Sequence, residues 1–170
     1  QVGCRTLYLV SPSIHSASVE RRFPKKDVSN DLAMWGRFER QGVYELKIDV
    51  FLQKEDGLLV LTTPGELGLS GYWGGPPSTV DYESNPTEYP EVKGVVKKGT
   101  LLIATQVIFW PDAEGGGTVE PRGTILTGQF EGKEVEMSDL TDFRESIERG
   151  KMILPVPNDR LLQKVTDMED

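Results

Sequence analysis

Val43-Tyr44-Glu45-Leu46-Lys47-Ile48-Asp49-Val50-Phe51-Leu52 is the stretch whose reading decides the fold. Its even positions are Tyr44, Leu46, Ile48, Val50 and Leu52, and its odd positions include Glu45, Lys47 and Asp49. Successive side chains on a strand point to opposite faces, so this alternation predicts a strand with one face on a core and the other in water. Tyr44, Leu46, Ile48 and Val50 are the expected buried set. Glu55-Asp56-Gly57 supplies a turn, residues 58–63 read as the hairpin partner, and Pro64-Gly65 ends it.

Downstream, the same reasoning predicts strands at 92–96 and 100–110 around Lys97-Lys98-Gly99. Leu101, Leu102, Ile103, Val107, Ile108 and Phe109 make the second apolar on both faces, as a central or tightly curved strand requires. Further strands are expected at 123–130 and 133–137 around Glu131-Gly132, and at 152–156. Ser138-Asp139 or Thr141 is expected to cap a helix running to Arg149, with Leu140, Phe143 and Ile147 on one face and Gly150 closing it. Asn158 or Asp159 is expected to open a C-terminal amphipathic helix with an apolar stripe of Leu161, Leu162, Val165 and Met168. Upstream, residues 5–10 read as a short strand, and Ser29-Asn30-Asp31 as the cap of a short helix through Leu32, Met34, Trp35 and Phe38.

The chain is therefore expected to be mainly β with two or three short helices. The run 123–140 resembles the last hairpin of a small SH3-like or OB-like β-barrel, over about forty residues from Gly94. Such barrels host many unrelated functions, so the resemblance implies a fold and no activity. The expected plan is one domain over 1–170. Residues 1–42 form an N-terminal extension, 43–156 the barrel core with an insertion at 64–91, and 157–170 the C-terminal helix. The 170 residues fit the usual ~100–200 per domain.

Composition narrows the function. Twenty-seven acidic residues against 19 basic ones give a net charge of -8, which argues against nucleic-acid binding, where a basic stripe must displace counterions. The densest basic run, Arg21-Arg22-Phe23-Pro24-Lys25-Lys26, reads as a solvated loop. Cys4 is the single cysteine and His15 the single histidine, which leaves no intrachain disulfide, no Cys-rich zinc site and no set of histidine ligands. A Ser-His-Asp triad would have to use His15, which sits among Ser11, Ser13 and Ser16 and reads as a loop histidine. Gly65-Glu66-Leu67-Gly68 and Gly115-Gly116-Gly117 have the spacing of turns, not of phosphate loops. No catalytic residue, metal or cofactor is expected.

Two places draw functional readings. The insertion 64–91 is long for a structureless loop and carries Tyr72-Trp73-Gly74-Gly75. Rings beside residues without side chains suit stacking on a sugar, a peptide or a partner surface, so Tyr72 and Trp73 are the expected ligand-binding residues. The competing reading has both rings plugging the barrel. Val2-Gly3-Cys4 matches the end of a bacterial lipoprotein cleavage box, and Gln1 in place of an initiator Met suggests a processed form or a fragment. Cys4 is the expected lipidation site.

The resulting expectation is a non-enzymatic binding or structural module of the bacterial cell envelope or periplasm. It would take a protein or carbohydrate ligand and meet a membrane only through a lipid on Cys4. One alternative is a carboxylate-based hydrolase working from the loops of Asp81 and Glu83, and Asp112 and Glu114. The other is a soluble cytoplasmic subunit of an intracellular assembly, docked through its C-terminal helix.

Overall fold

The computed structural model describes residues 24–68, 76–142, 147–149 and 151–165. Within them the protein is mainly β. In chain order the strands are β1 (Lys26–Asp27), β2 (Val43–Leu46), β3 (Val50–Glu55), β4 (Leu58–Thr62), β5 (Val92–Val96), β6 (Leu101–Pro111), β7 (Gly117–Ile125), β8 (Glu134–Glu136), β9 (Ile147–Arg149), β10 (Met152–Leu154) and β11 (Leu162–Lys164). They form a mixed sheet in the order β11-β2-β6-β7-β8-β4-β3-β5, with β1 added on β6 and β10 on β7 and β9. The pairs β4/β8 and β7/β10 are parallel and the others antiparallel. The path is open: β11 and β5 stand at its two ends and do not pair, so the sheet does not close as the expected barrel would.

The deciding stretch folds largely as its alternation dictates, but in two pieces. Tyr44, Leu46, Val50 and Leu52 are buried, Lys47 is exposed, and Ile48 is only partly covered. The chain bends at 47–49, opposite a matching bend at 97–100. Leu46 N donates to Thr100 O at 2.9 Å, Gly99 N donates to Leu46 O at 2.8 Å, and Asp49 Oδ1 accepts from Lys98 N at 2.7 Å. Beyond the bend Phe51 and Gln53 are buried as well, and the Phe51 ring meets that of Tyr82 at 5.2 Å between centroids, so the second face of β3 is covered there too. In β6 the buried positions change from Leu102 and Ala104 to Val107, where the register to β7 shifts between Ala104 and Gln106. A bulge of this kind puts apolar residues on both faces of one strand, which accounts for the mixed pattern in its sequence.

The segment ahead of the deciding stretch belongs to the core. Asp31 accepts from Ala33 N and caps a single 3-10 turn, Leu32–Trp35. Trp35 is buried, and its Nε1 donates to Ser29 O at 2.8 Å. Gly36 closes the turn at φ 58°, where a Cβ would meet Pro155 O at 2.1 Å, so both the conformation and the space demand glycine.

Two helices expected from the sequence are replaced by other structure. After Asn158 one turn forms, with Leu161 N and Leu162 N both donating to Asn158 O. The chain then enters β11, pairing Leu162, Gln163 and Lys164 with Leu46, Glu45 and Tyr44 of β2. The unpaired edge of β2 offers a ladder of backbone partners that a separate helix would leave open. Residues 166–170, with Met168, lie outside the described residues. At 138–149 the described residues form the 3-10 turn Ser138–Leu140 and the strand Ile147–Arg149, which pairs with β10, while residues 143–146 and Gly150 lie outside the described residues. Here the buried Asp139 carboxylate accepts from Thr63 N at 2.8 Å and Thr63 Oγ1 at 3.0 Å, tying the turn to the end of β4. Among the described residues the only α-helix is α1 (Thr79–Ser84), inside the insertion and capped by Ser78.

Candidate functional site

The face of the sheet opposite the core carries a polar cleft. On β7 the odd positions from Gly117 to Ile125 are buried, which leaves Glu120 and Arg122 on the other face. Register then fixes their neighbours. Arg122 stands directly across from Glu136 of β8, and Glu136 from Val60 of β4. Trp110 lies further along β6, opposite Thr118. The β3–β4 turn adds Glu55 and Asp56, and Lys25 enters ahead of β1. Together these residues and Leu58 line a cleft of about 330 Å³.

Its polar groups are unevenly matched. Arg122 Nε donates to Glu120 Oε2 at 2.8 Å, along its own strand, and both side chains are largely covered. Arg122 Nη2 and Trp110 Nε1 are buried, and among the described residues neither has an acceptor. Leaving a buried N–H unmatched costs about 1–3 kcal/mol, so such donors are uncommon in folded proteins. Lys25 Nζ lies 5.2 Å from the centre of the Trp110 ring, a cation–π contact. Glu136 is 2 % exposed, and Ser138 N donates to its Oε1. Burial, and next the negative charge of Glu120, push the Glu136 carboxyl up to about 7.

A second, larger depression of about 420 Å³ lies by the bend, lined by Lys47, Asp49, Glu66, Thr79 and Lys98 among others. Three of its charged side chains are already matched. Glu66 accepts from both Thr79 N and Thr79 Oγ1, Asp49 from Lys98 N, and Lys47 Nζ donates to Asp159 O.

Of the residues singled out in the sequence, Cys4, His15, Tyr72 and Trp73 lie outside the described residues. Asp81 and Glu83 are exposed on α1, and Asp112 and Glu114 are exposed in the β6–β7 loop. Asp112 Oδ1 accepts from Glu114 N and Gly116 N at 2.9 Å each, so it holds the loop together. Among the described residues no group of three acidic, His or Cys side chains is arranged to hold a metal ion, and no helix is long and apolar enough to cross a membrane. The cleft residues were not singled out by sequence reasoning. The usable signal was Thr118, Glu120, Arg122 and Thr124 at every second position, masked by Pro121, which demotes a strand reading. Comparison with protein-family models, curated proteins and solved structures gives no match.

Proposed function

We propose that the chain is a non-enzymatic binding module whose cleft at Trp110, Arg122 and Glu136 takes a small hydroxylated ligand of the saccharide type. The observation that carries this reading is the pair of buried N–H groups in one cleft, Trp110 Nε1 and Arg122 Nη2, that have no acceptor among the described residues. They call for ligand oxygens. The surrounding carboxylates Glu120 and Asp56 call for ligand donors. A hydroxyl group meets both demands at once, and a neutral ligand adds no charge to a site that already holds more anions than cations.

Calorimetric titration with a panel of neutral disaccharides built from glucose, galactose and N-acetylglucosamine tests the proposal. At least one should bind, and Arg122→Ala and Trp110→Phe should each weaken it by about tenfold, the cost of one lost buried hydrogen bond. Absence of binding across the panel up to about 10 mM, weaker than any functional contact of this size, would sink the reading.

One observation favours a second reading: Glu120 and Glu136 share the cleft, which moves the carboxylate-based hydrolase from Asp81 and Asp112 to this pair. New reducing ends appearing on incubation with the same disaccharides would select it over simple binding.

A further inference from the structure

Glu136 occupies a position that its cross-strand partner leaves uncompensated. Antiparallel register sets it directly across from Arg122, where an ion pair is the ordinary outcome. Arg122 instead turns its Nε to Glu120 on its own strand. The charged groups around Glu136 are then mostly of its own sign. On β8 there is Glu134, on β7 Glu120 beside Arg122, and on the following turn the buried Asp139. Across the cleft are Glu55 and Asp56 of the β3–β4 turn and Lys25 ahead of β1, while the facing β4 residue is the uncharged Val60. Among the described residues Ser138 alone answers Glu136, donating from its backbone N to Oε1 and through its side chain, and these two bonds do not offset the burial and the neighbouring negative charge. A proton on the other oxygen relieves both the burial and the repulsion, and creates an O–H that needs an acceptor inside the cleft.

We propose that Glu136 is a binding residue that donates a hydrogen bond from its protonated carboxyl to a ligand oxygen, so that ligand capture takes up a proton. This rests on the cleft being the ligand site. Glu136 then joins Trp110 Nε1 and Arg122 Nη2 as a third donor, and the site releases its ligand as the pH rises. The upward displacement of its carboxyl to about 7 places that response near neutrality. Should the ligand not require the proton, affinity would be indifferent to pH.

The experiment is calorimetry with the same disaccharide panel between pH 5.5 and 8.5, in two buffers of different ionisation enthalpy. The wild-type dissociation constant should rise at least about tenfold across this range, with net proton uptake on binding. Glu136→Gln keeps an N–H donor and removes the titration. It should bind with an affinity that no longer changes with pH, whereas Glu136→Leu, which offers no donor, should bind weakly throughout. NMR of ¹³C-labelled Glu side chains, with Glu136→Gln for assignment, should show this carboxyl titrating well above the ordinary range without ligand. A flat wild-type profile with binding intact overturns the inference alone, as does a pH step that survives in Glu136→Gln. Failure of the panel to bind wild type at any pH overturns the ligand-site reading, and this inference with it.

Discussion

At the scale of the residue, Glu136 is where burial and charge conflict most openly. Its carboxyl keeps its proton in the folded chain up to about 7, against 4.5 for an ordinary glutamate. The folded state therefore binds the proton more tightly than the unfolded state does. The stability this supplies is whole below about 4.5 and is lost as the pH rises through about 7. From pH 5 to 8.5 the loss amounts to about 2–3 kcal/mol. Urea denaturation of wild type and Glu136→Gln at several pH values checks this. The difference between the two should shift by that amount in favour of the glutamine variant as pH rises. Equal stability changes in both would mean Glu136 titrates normally. Residue identity alone made part of this region readable. The alternation at 43–52 showed that Tyr44, Leu46, Val50 and Leu52 go inside, because one β-strand period is enough to say so, but not the bend that leaves Ile48 partly covered or the burial of Phe51. Glu136 gave no such sign, since its burial comes from β4 and β7, which are remote in sequence.

At the scale of the element, the strands with clean alternation were legible and the C-terminal region was not. Leu161, Leu162, Val165 and Met168 have helical spacing, yet Leu161 and Leu162 are both buried because a turn at Asn158 leads directly into β11. Helical spacing states only where apolar residues fall, and an open sheet edge can use the same residues once backbone pairing is on offer. A related reason applies at 138–142: Asp139, a residue type that caps helices, gives its carboxylate to Thr63 of another element. β11 also yields a prediction. Leu162 packs in the core with 3 % exposure, so Leu162→Ala should cost about 2–5 kcal/mol in the isolated protein, measured by chemical denaturation. A surface helix poised to dock a partner would lose far less, and a cost below about 0.5 kcal/mol would favour that earlier expectation over the strand.

At the scale of the whole molecule, the cleft assembles Lys25, the β3–β4 turn, Trp110, Glu120, Arg122 and Glu136 from segments more than a hundred residues apart. Long-range strand order decides this, and that order runs through the parallel pair β4/β8, which no local pattern announces. The sequence drew attention to the insertion at 64–91 because its composition is unusual. The cleft instead lies on the sheet, built from ordinary polar residues, and two of its buried N–H groups, Trp110 Nε1 and Arg122 Nη2, have no acceptor among the described residues. The most direct measurement of the central claim is ¹⁵N NMR of the Trp110 indole N–H, assigned with Trp110→Phe, during titration with the neutral disaccharide panel. A ligand oxygen that takes this donor should shift its resonance and slow its exchange with water, while the Trp35 indole, already bonded to Ser29 O, should not move. A Trp110 indole that stays unchanged while a disaccharide binds elsewhere on the protein would contradict the account.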